Sequence, residues 1–154
     1  MSYIDSNLLP DEQIIFRTKK HLIIFIYPVL VTIFMMYAYV HYIEANPILL
    51  KLMWLPWLVV CLFWAYTALE YKFSEFAVTN KRVLMREGFF TRHINEMRLA
   101  TVSQVNIEQG LIGQLLNYGT IIINAFGAFD AFTVIANPSA LQKAVNEQLD
   151  KIVR

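Results

Sequence analysis

Two long apolar runs dominate the first half of the chain, and shorter alternating and helical patterns fill the second. Leu22 to Val40 is 19 residues without a formal charge, and Leu52 to Leu69 is another 18. As α-helices rising 1.5 Å per residue, each would be roughly 27–28 Å long, close to the ~30 Å hydrocarbon core of a bilayer. The pattern therefore predicts transmembrane helices over residues 21–42 and 52–70. Pro28 and Pro56 fall within the first two turns, where a missing N–H removes few helical hydrogen bonds. Tyr37, Tyr39 and Tyr42 close the first run, Trp54 and Trp57 open the second, and Tyr66 and Tyr71 close it. Rings with a polar edge prefer the headgroup level, so Tyr42, Trp54, Trp57 and Tyr71 are candidate interface aromatics. Burying both helices in a soluble bundle would take a large shell of amphipathic partners. The chain offers one convincing amphipathic helix, at its C-terminus.

Beyond residue 70 the period shortens. Phe73 to Val78 is rich in aromatic and β-branched residues and predicts a strand. Thr79-Asn80-Lys81-Arg82 reads as a turn, with Asn80 tolerant of positive φ, and Val83 to Arg86 as the returning strand. Gly88 opens a second turn. Arg92 to Arg98 alternates weakly, and Val102 to Ile107 predicts a further strand with room for a bulge. Leu111 to Leu116 reads as a short helical turn ended by Gly119. Thr120 to Asn124 and Phe129 to Ile135 predict two more strands joined at Gly127. Leu141, Ala144, Val145, Gln148, Leu149 and Ile152 then recur at helical spacing, with Asn137 as N-cap and Pro138 at the first helical position. About six strands and one covering helix follow, an 84-residue folding unit over 71–154. Only Glu70-Tyr71-Lys72 separates it from the second apolar run. Three extended residues reach about 10 Å, so the unit is expected to lie against the bilayer.

Composition agrees with this division. The chain is 57% hydrophobic and 16% charged, with mean hydropathy +0.46, where soluble domains carry about 25% charged residues. That excludes a disordered chain. A net charge of +1 argues against a general nucleic-acid binder. Lysine and arginine set the orientation. Arg17, Lys19 and Lys20 precede the first run, and Lys72, Lys81, Arg82 and Arg86 follow the second, while residues 43–51 between them contain only Lys51. Both termini are expected in the cytoplasm, with residues 1–20 as a cytoplasmic segment and 43–51 as an external loop. Asp5, Asp11 and Glu12 before the first run do not fit a cleaved signal peptide.

Catalytic chemistry is not written in the sequence. It has no GxSxG, HExxH, GxGxxG or P-loop spacing, and its carboxylates form no obvious pair. His21 and His41 stand at opposite ends of one apolar run, about 30 Å apart, and His93 lies between basic neighbours, so neither a metal nor another cofactor is expected. Cys61, the one cysteine, reads as a packing residue inside the second run. The runs themselves hold no Asp, Glu, Lys or Arg to relay an ion.

A family likeness rests on several pieces in shared order. They are Leu8-Leu9-Pro10-Asp11-Glu12, Thr79-Asn80-Lys81-Arg82-Val83, Gly88-Phe89-Phe90, Glu96-Met97-Arg98-Leu99, Val102, Gln109-Gly110, Leu115-Leu116-Asn117-Tyr118-Gly119-Thr120-Ile121 and Ile135-Ala136-Asn137-Pro138. Together they resemble the bacterial pleckstrin-homology-like domain of two-span membrane proteins, over nearly the whole chain. The resemblance implies a two-helix membrane hairpin followed by a mainly-β domain, a curved sheet or partly open barrel capped by a C-terminal helix. It implies a bacterial inner-membrane protein and carries no shared catalytic residues.

Two surfaces remain as candidates. Lys81, Arg82, Arg86, Arg92 and Arg98 fall on neighbouring hairpin strands and could meet anionic lipid headgroups, each contributing about 1 kcal/mol near the surface. An ordinary solvated face, with Glu87 and Glu96 pairing the arginines, is the simpler reading. Phe89, Phe90, Phe126 and Phe129 stand beside turns. They could touch the bilayer or a neighbouring subunit, or fold inward. The expected function is non-enzymatic: a domain presented at the cytoplasmic face for homo-oligomerisation or for binding other membrane proteins. The alternatives are binding of membrane lipids through the basic hairpin, or an accessory role in a transport or envelope-stress complex. Nucleic acid is not an expected partner.

Overall fold

In the computed structural model, which describes residues 3–43, 51, 54–89, 91–125 and 128–153, the chain divides into two compact units. One unit comprises Leu22–Tyr71. The other comprises Met1–His21 together with Lys72–Arg154.

The first unit is helical. A 3-10 turn over Leu22–Phe25 leads into α2 (Ile26–Ala38), which ends in a π-helical turn over Tyr39–Ile43. A second long helix, α3 (Trp54–Phe73), ends one residue before the next strand. Among the described residues, Leu22–His41 is the one helical stretch both long and apolar enough to cross a membrane. The predicted second run is helical from Trp54 onward and continues to Phe73, and its three tryptophans and the Glu70-Tyr71-Lys72 end make this helix less apolar. The two helices are tied by a Trp64 indole N–H donating to the Thr32 hydroxyl at 3.0 Å, and by Phe25 against Trp64 and Tyr71. Of the predicted external loop, 43–51, residues 44–50 lie outside the described residues.

The second unit is mainly β, and it is larger than residues 71–154. The segment 1–20, expected as a separate tail, supplies α1 (Tyr3–Ser6) and a strand, β1 (Ile14–Thr18). Strand β1 pairs antiparallel with β2 (Glu75–Thr79), which continues through β3 (Arg82–Glu87) and β4 (His93–Arg98) into a four-stranded sheet. A 3-10 turn, Leu99–Thr101, leads to a second sheet of β5 (Val102–Glu108), β6 (Tyr118–Ala125) and β7 (Ala128–Ala136). Helix α4 (Leu111–Leu116) joins β5 to β6, and α5 (Pro138–Val153) closes the chain. The strands form two sheets and not a closed barrel. Among the described residues β4 and β5 do not pair, and only a single bridge, Lys20 to Ile135, joins the sheets.

Alternation explains the core. Phe76, Val78, Val83 and Met85 from the first sheet meet Val105, Ile121, Ile123, Phe132 and Ile135 from the second. Leu141, Ala144 and Val145 of α5 cover them. Each is buried. On the opposite face of the first sheet, Ala77 and Leu84 are covered by Ile4 of α1. The N-terminal segment thus buries part of a face that would otherwise be open to water.

Two local expectations change. Asn80 is not at positive φ: among described non-glycine residues that conformation belongs to Asp11, Asn117, Val134 and Asn137. Asn80 instead bonds the N-terminal segment, accepting from the Gln13 N–H and donating to the Asp11 carbonyl. Helix α4 is ended by Asn117 in the left-handed conformation, its N–H donating to Gly113, while Gly119 lies within β6. The Asn137 carbonyl accepts from the Leu141 N–H at the start of α5, and its side-chain oxygen accepts from the Asn117 amide at 2.5 Å. The turn at Gly88, with φ +88°, is as expected, since a Cβ there would meet the Thr91 carbonyl at 2.3 Å.

This topology predicts how the domain can be cut. Residues 71–154 alone leave the β2 edge unpaired and the Ala77–Leu84 face bare, and are expected to aggregate or to lack a cooperative melt. Residues 1–21 joined to 72–154 by a short Gly/Ser linker are expected to melt cooperatively, because Thr18 and Phe76 are cross-strand neighbours. Circular dichroism melts of the two polypeptides provide the check.

Candidate functional site

Strand register assigns each basic residue to one of two ends of the domain. Thr18 lies opposite Phe76, Arg86 opposite Ile94 and Glu87 opposite His93. This is the end where the chain leaves at His21 and returns at Lys72. The other end carries the Asn80-Lys81 turn, and there Arg82 lies opposite Arg98. Arg82 and Arg86 are four positions apart, about 13 Å along a strand. The second sheet follows the same division. The Lys19 carbonyl and His21 N–H bond the end of β7, next to Tyr118, whereas Phe129 lies near the β6–β7 turn at the far end.

At the far end an open cleft of about 480 Å³ is lined by Leu9, Lys81, Arg82, Glu96 and Arg98. Its floor is an ion network. Arg82 donates through Nε to Glu12 Oε1 at 2.9 Å and through Nη2 to Glu12 Oε2 at 3.0 Å. It also reaches Glu96 Oε2 at 2.5 Å and the Asn7 carbonyl at 2.7 Å. The Glu12 side chain is fully buried and that of Arg82 is 12% exposed. Glu12 also accepts from the Thr79 hydroxyl at 2.7 Å and from the Leu9 N–H at 2.7 Å. Burial opposes the charge on Glu12, but the hydrogen bonds from Arg82, Leu9 and Thr79 outweigh it and hold the carboxyl below the usual glutamate range. The hydrogen bond to Glu12 raises the Arg82 value in return, against the opposing effect of burial.

The five basic candidates therefore have different roles. Arg82 is a structural clamp on the N-terminal segment. Lys81 donates to the Pro10 carbonyl at 2.7 Å, while its residue remains exposed. Arg98 is exposed on the cleft rim. Arg86 is half-buried, with its guanidinium 5.8 Å from the Phe73 ring. Arg92 is exposed at the exit end. Of the two carboxylates expected to pair arginines, Glu96 does so, whereas Glu87 pairs with the buried Lys20 at 2.5 Å.

The aromatic candidates also separate. Phe89 packs on Phe73 with centroids 4.9 Å apart and is half-buried, the inward reading. Phe129 is 72% exposed. Phe90, Phe126 and the side chain of Tyr42 lie outside the described residues. Trp54 is exposed at the start of α3, Trp57 is half-buried, and Tyr71 packs on Phe25. Sequence reasoning missed Glu12 as the partner of Arg82, because 70 residues separate them. The contiguous Leu8-Leu9-Pro10-Asp11-Glu12 piece was the available signal.

Two β-sheets covered by a C-terminal helix make a domain of the pleckstrin-homology type, with an open, mixed-charge cleft at one end. The bacterial PH domain family matches residues 15–151, and the chain belongs to that family. The match begins inside β1, in keeping with a domain assembled from both sides of the helical unit. No curated protein and no solved structure matches the chain.

The clamp makes a pH prediction. Because the folded carboxyl of Glu12 lies below its unfolded value, its stabilising contribution is present at neutral pH and is lost as pH falls through the folded value. Arg82→Ala leaves the buried carboxylate unpaired and is expected to cost about 3–5 kcal/mol at pH 7. Glu12→Gln is expected to flatten the acid side of the stability profile. Hydrogen exchange of peptides spanning 75–87, in the full chain, measures both effects.

Proposed function

We propose that this chain is a non-enzymatic, two-span protein of the bacterial inner membrane that presents its PH domain in the cytoplasm to a second copy or to another membrane protein. The family suggests a binding or adaptor role. The observation that carries the membrane part is the apolar helical stretch Leu22–His41, and the pairing of β1 with β2 in one sheet, on either side of the helical unit in sequence, sets the number of crossings. A polypeptide that leaves one sheet and returns to it must cross a bilayer an even number of times. If Leu22–His41 crosses, the less apolar α3 crosses back. Lysine and arginine on both flanks, with only Lys51 between, favour a cytoplasmic domain.

The end opposite the chain exit is then the one free to meet a partner. It offers the mixed-charge cleft, with Lys81 and Arg98 exposed at its rim, and the exposed Phe129. An exposed aromatic at the same end as exposed basic side chains is the composition of a protein-binding patch more than of a catalytic pocket.

The lipid-headgroup reading narrows to the other end. Arg86 and Arg92 lie there, whereas Lys81, Arg82 and Arg98 lie about 13 Å farther along the strands, beyond a Debye length of about 8 Å.

Photo-crosslinker placed at Phe129 or at Arg98 in the full-length protein in cells is expected to give discrete protein adducts, and at Arg92 none. Reporters fused at both ends are expected to be active only in the cytoplasm. An external C-terminal reporter would overturn the topology, and adduct-free protein at both far-end positions would overturn the partner-binding role.

A further inference from the structure

Helix α4 presents an apolar stripe that the core does not use. Leu111 is 86% exposed, Ile112 63%, Leu115 85% and Leu116 43%. Spacings of one, four and five residues put all four on one side of a helix. The opposite side is fixed to the domain. Gly113 is buried, and a Cβ there would meet the Tyr118 carbonyl at 2.6 Å. The Gln109 amide donates to that same carbonyl at 3.0 Å. No Asp, Glu, Lys or Arg occurs from Gln109 to Ala125.

The place of this stripe is informative. Two residues after α4, the Tyr118 ring stacks on the His21 ring with centroids 5.2 Å apart. The His21 N–H donates to the Val134 carbonyl at 2.7 Å, and Lys20 bridges Ile135. His21 is the last residue before the apolar stretch Leu22–His41. The stripe is therefore held beside the point where the chain departs toward that stretch. We propose that α4 is a second, monotopic membrane contact. Leu111, Ile112, Leu115 and Leu116 insert at the headgroup–acyl boundary of the leaflet that Leu22 enters, fixing the tilt of the domain on the bilayer. This rests on the membrane reading given above. A second copy is the poorer occupant. The stripe is four residues, against the roughly 20–30 residues a side of a standard interface, whereas a bilayer sets no such minimum.

The test uses the full-length chain with Cys61→Ser, reconstituted in phosphatidylethanolamine–phosphatidylglycerol vesicles. Single cysteines carry an environment-sensitive fluorophore at Leu115→Cys, at Lys143→Cys on the exposed side of α5, and at Phe34→Cys in α2. The label at 115 is expected to be quenched by shallow lipid spin labels, and to be less accessible to iodide than the label at 143 by roughly fivefold. Iodide accessibility equal to that at 143, without lipid quenching, would overturn the proposal. So would a blue shift at 115 that disappears as the protein is diluted across vesicles, which marks a second copy as the occupant. The label at 34 separates the two readings. If deep spin labels quench 34 while 115 stays wet, only the α4 proposal fails; if 34 is not quenched, the membrane reading fails with it. As a second variant, Leu111→Asn with Leu116→Asn, away from the labelled position, is expected to raise iodide access at 115 while the chain still resists carbonate extraction. Unchanged access would also count against the insertion.

Discussion

The whole structure depends on β1 finding β2 across more than fifty intervening residues. Nothing local brings them together. Closing a loop of that length costs entropy that grows only logarithmically, but it must be met before the cross-strand contacts form. On the two-span reading, the helical hairpin shortens this search, because two antiparallel helices deliver their ends to one side of a bilayer. The Trp64–Thr32 hydrogen bond and the Phe25 ring contacts hold those helices together within their own unit. On that reading, completing the sheet is a single closure event.

The buried Glu12–Arg82 pair makes best sense as a specifier of that event. Taking both charges from water is costly, and a well-packed apolar pair of similar volume is often at least as stable. An apolar pair would not, however, fix the register of a five-residue strand. A one-residue slip of β1 would turn Phe16 out of the core. Such a slip would also move Glu12 away from a guanidinium already held by Glu96 and the Asn7 carbonyl. Asn80 adds to the same discrimination by bonding Gln13 and Asp11. The turn that looks most available for an external anion is therefore largely occupied by the protein's own N-terminal segment.

Elements were legible where a period ran long enough. The apolar run from Leu22, the helical spacing from Leu141 to Ile152 and the strands from Phe76 to Ile135 all stand close to their expected places. Strand β1 was hidden because Ile14-Ile15-Phe16 is short and sits among charges that read naturally as the flank of a membrane segment. The division into two sheets depends on the Leu99–Thr101 turn, and no composition signal marks it. Basic residues were legible as a cluster but not as two ends. Their separation comes from register, and the partner of Arg82 comes from a segment 70 residues away.

Helix α4 shows why exposure is harder to read than helicity. Four large apolar residues in six are read by default as core, since most such runs in a β domain are buried. What reverses that reading is Gly113: a side chain on the opposite side could not approach β6 so closely, so the helix lies on its smallest residue and turns the larger ones outward. Reversal by a single glycine argues against an accidental patch. An arrangement meant only to close the β5–β6 connection would gain by burying Leu111 and Leu115. Burying neither carries a solubility liability in water. That liability vanishes if the exposed side never meets bulk water, as the proposed insertion requires.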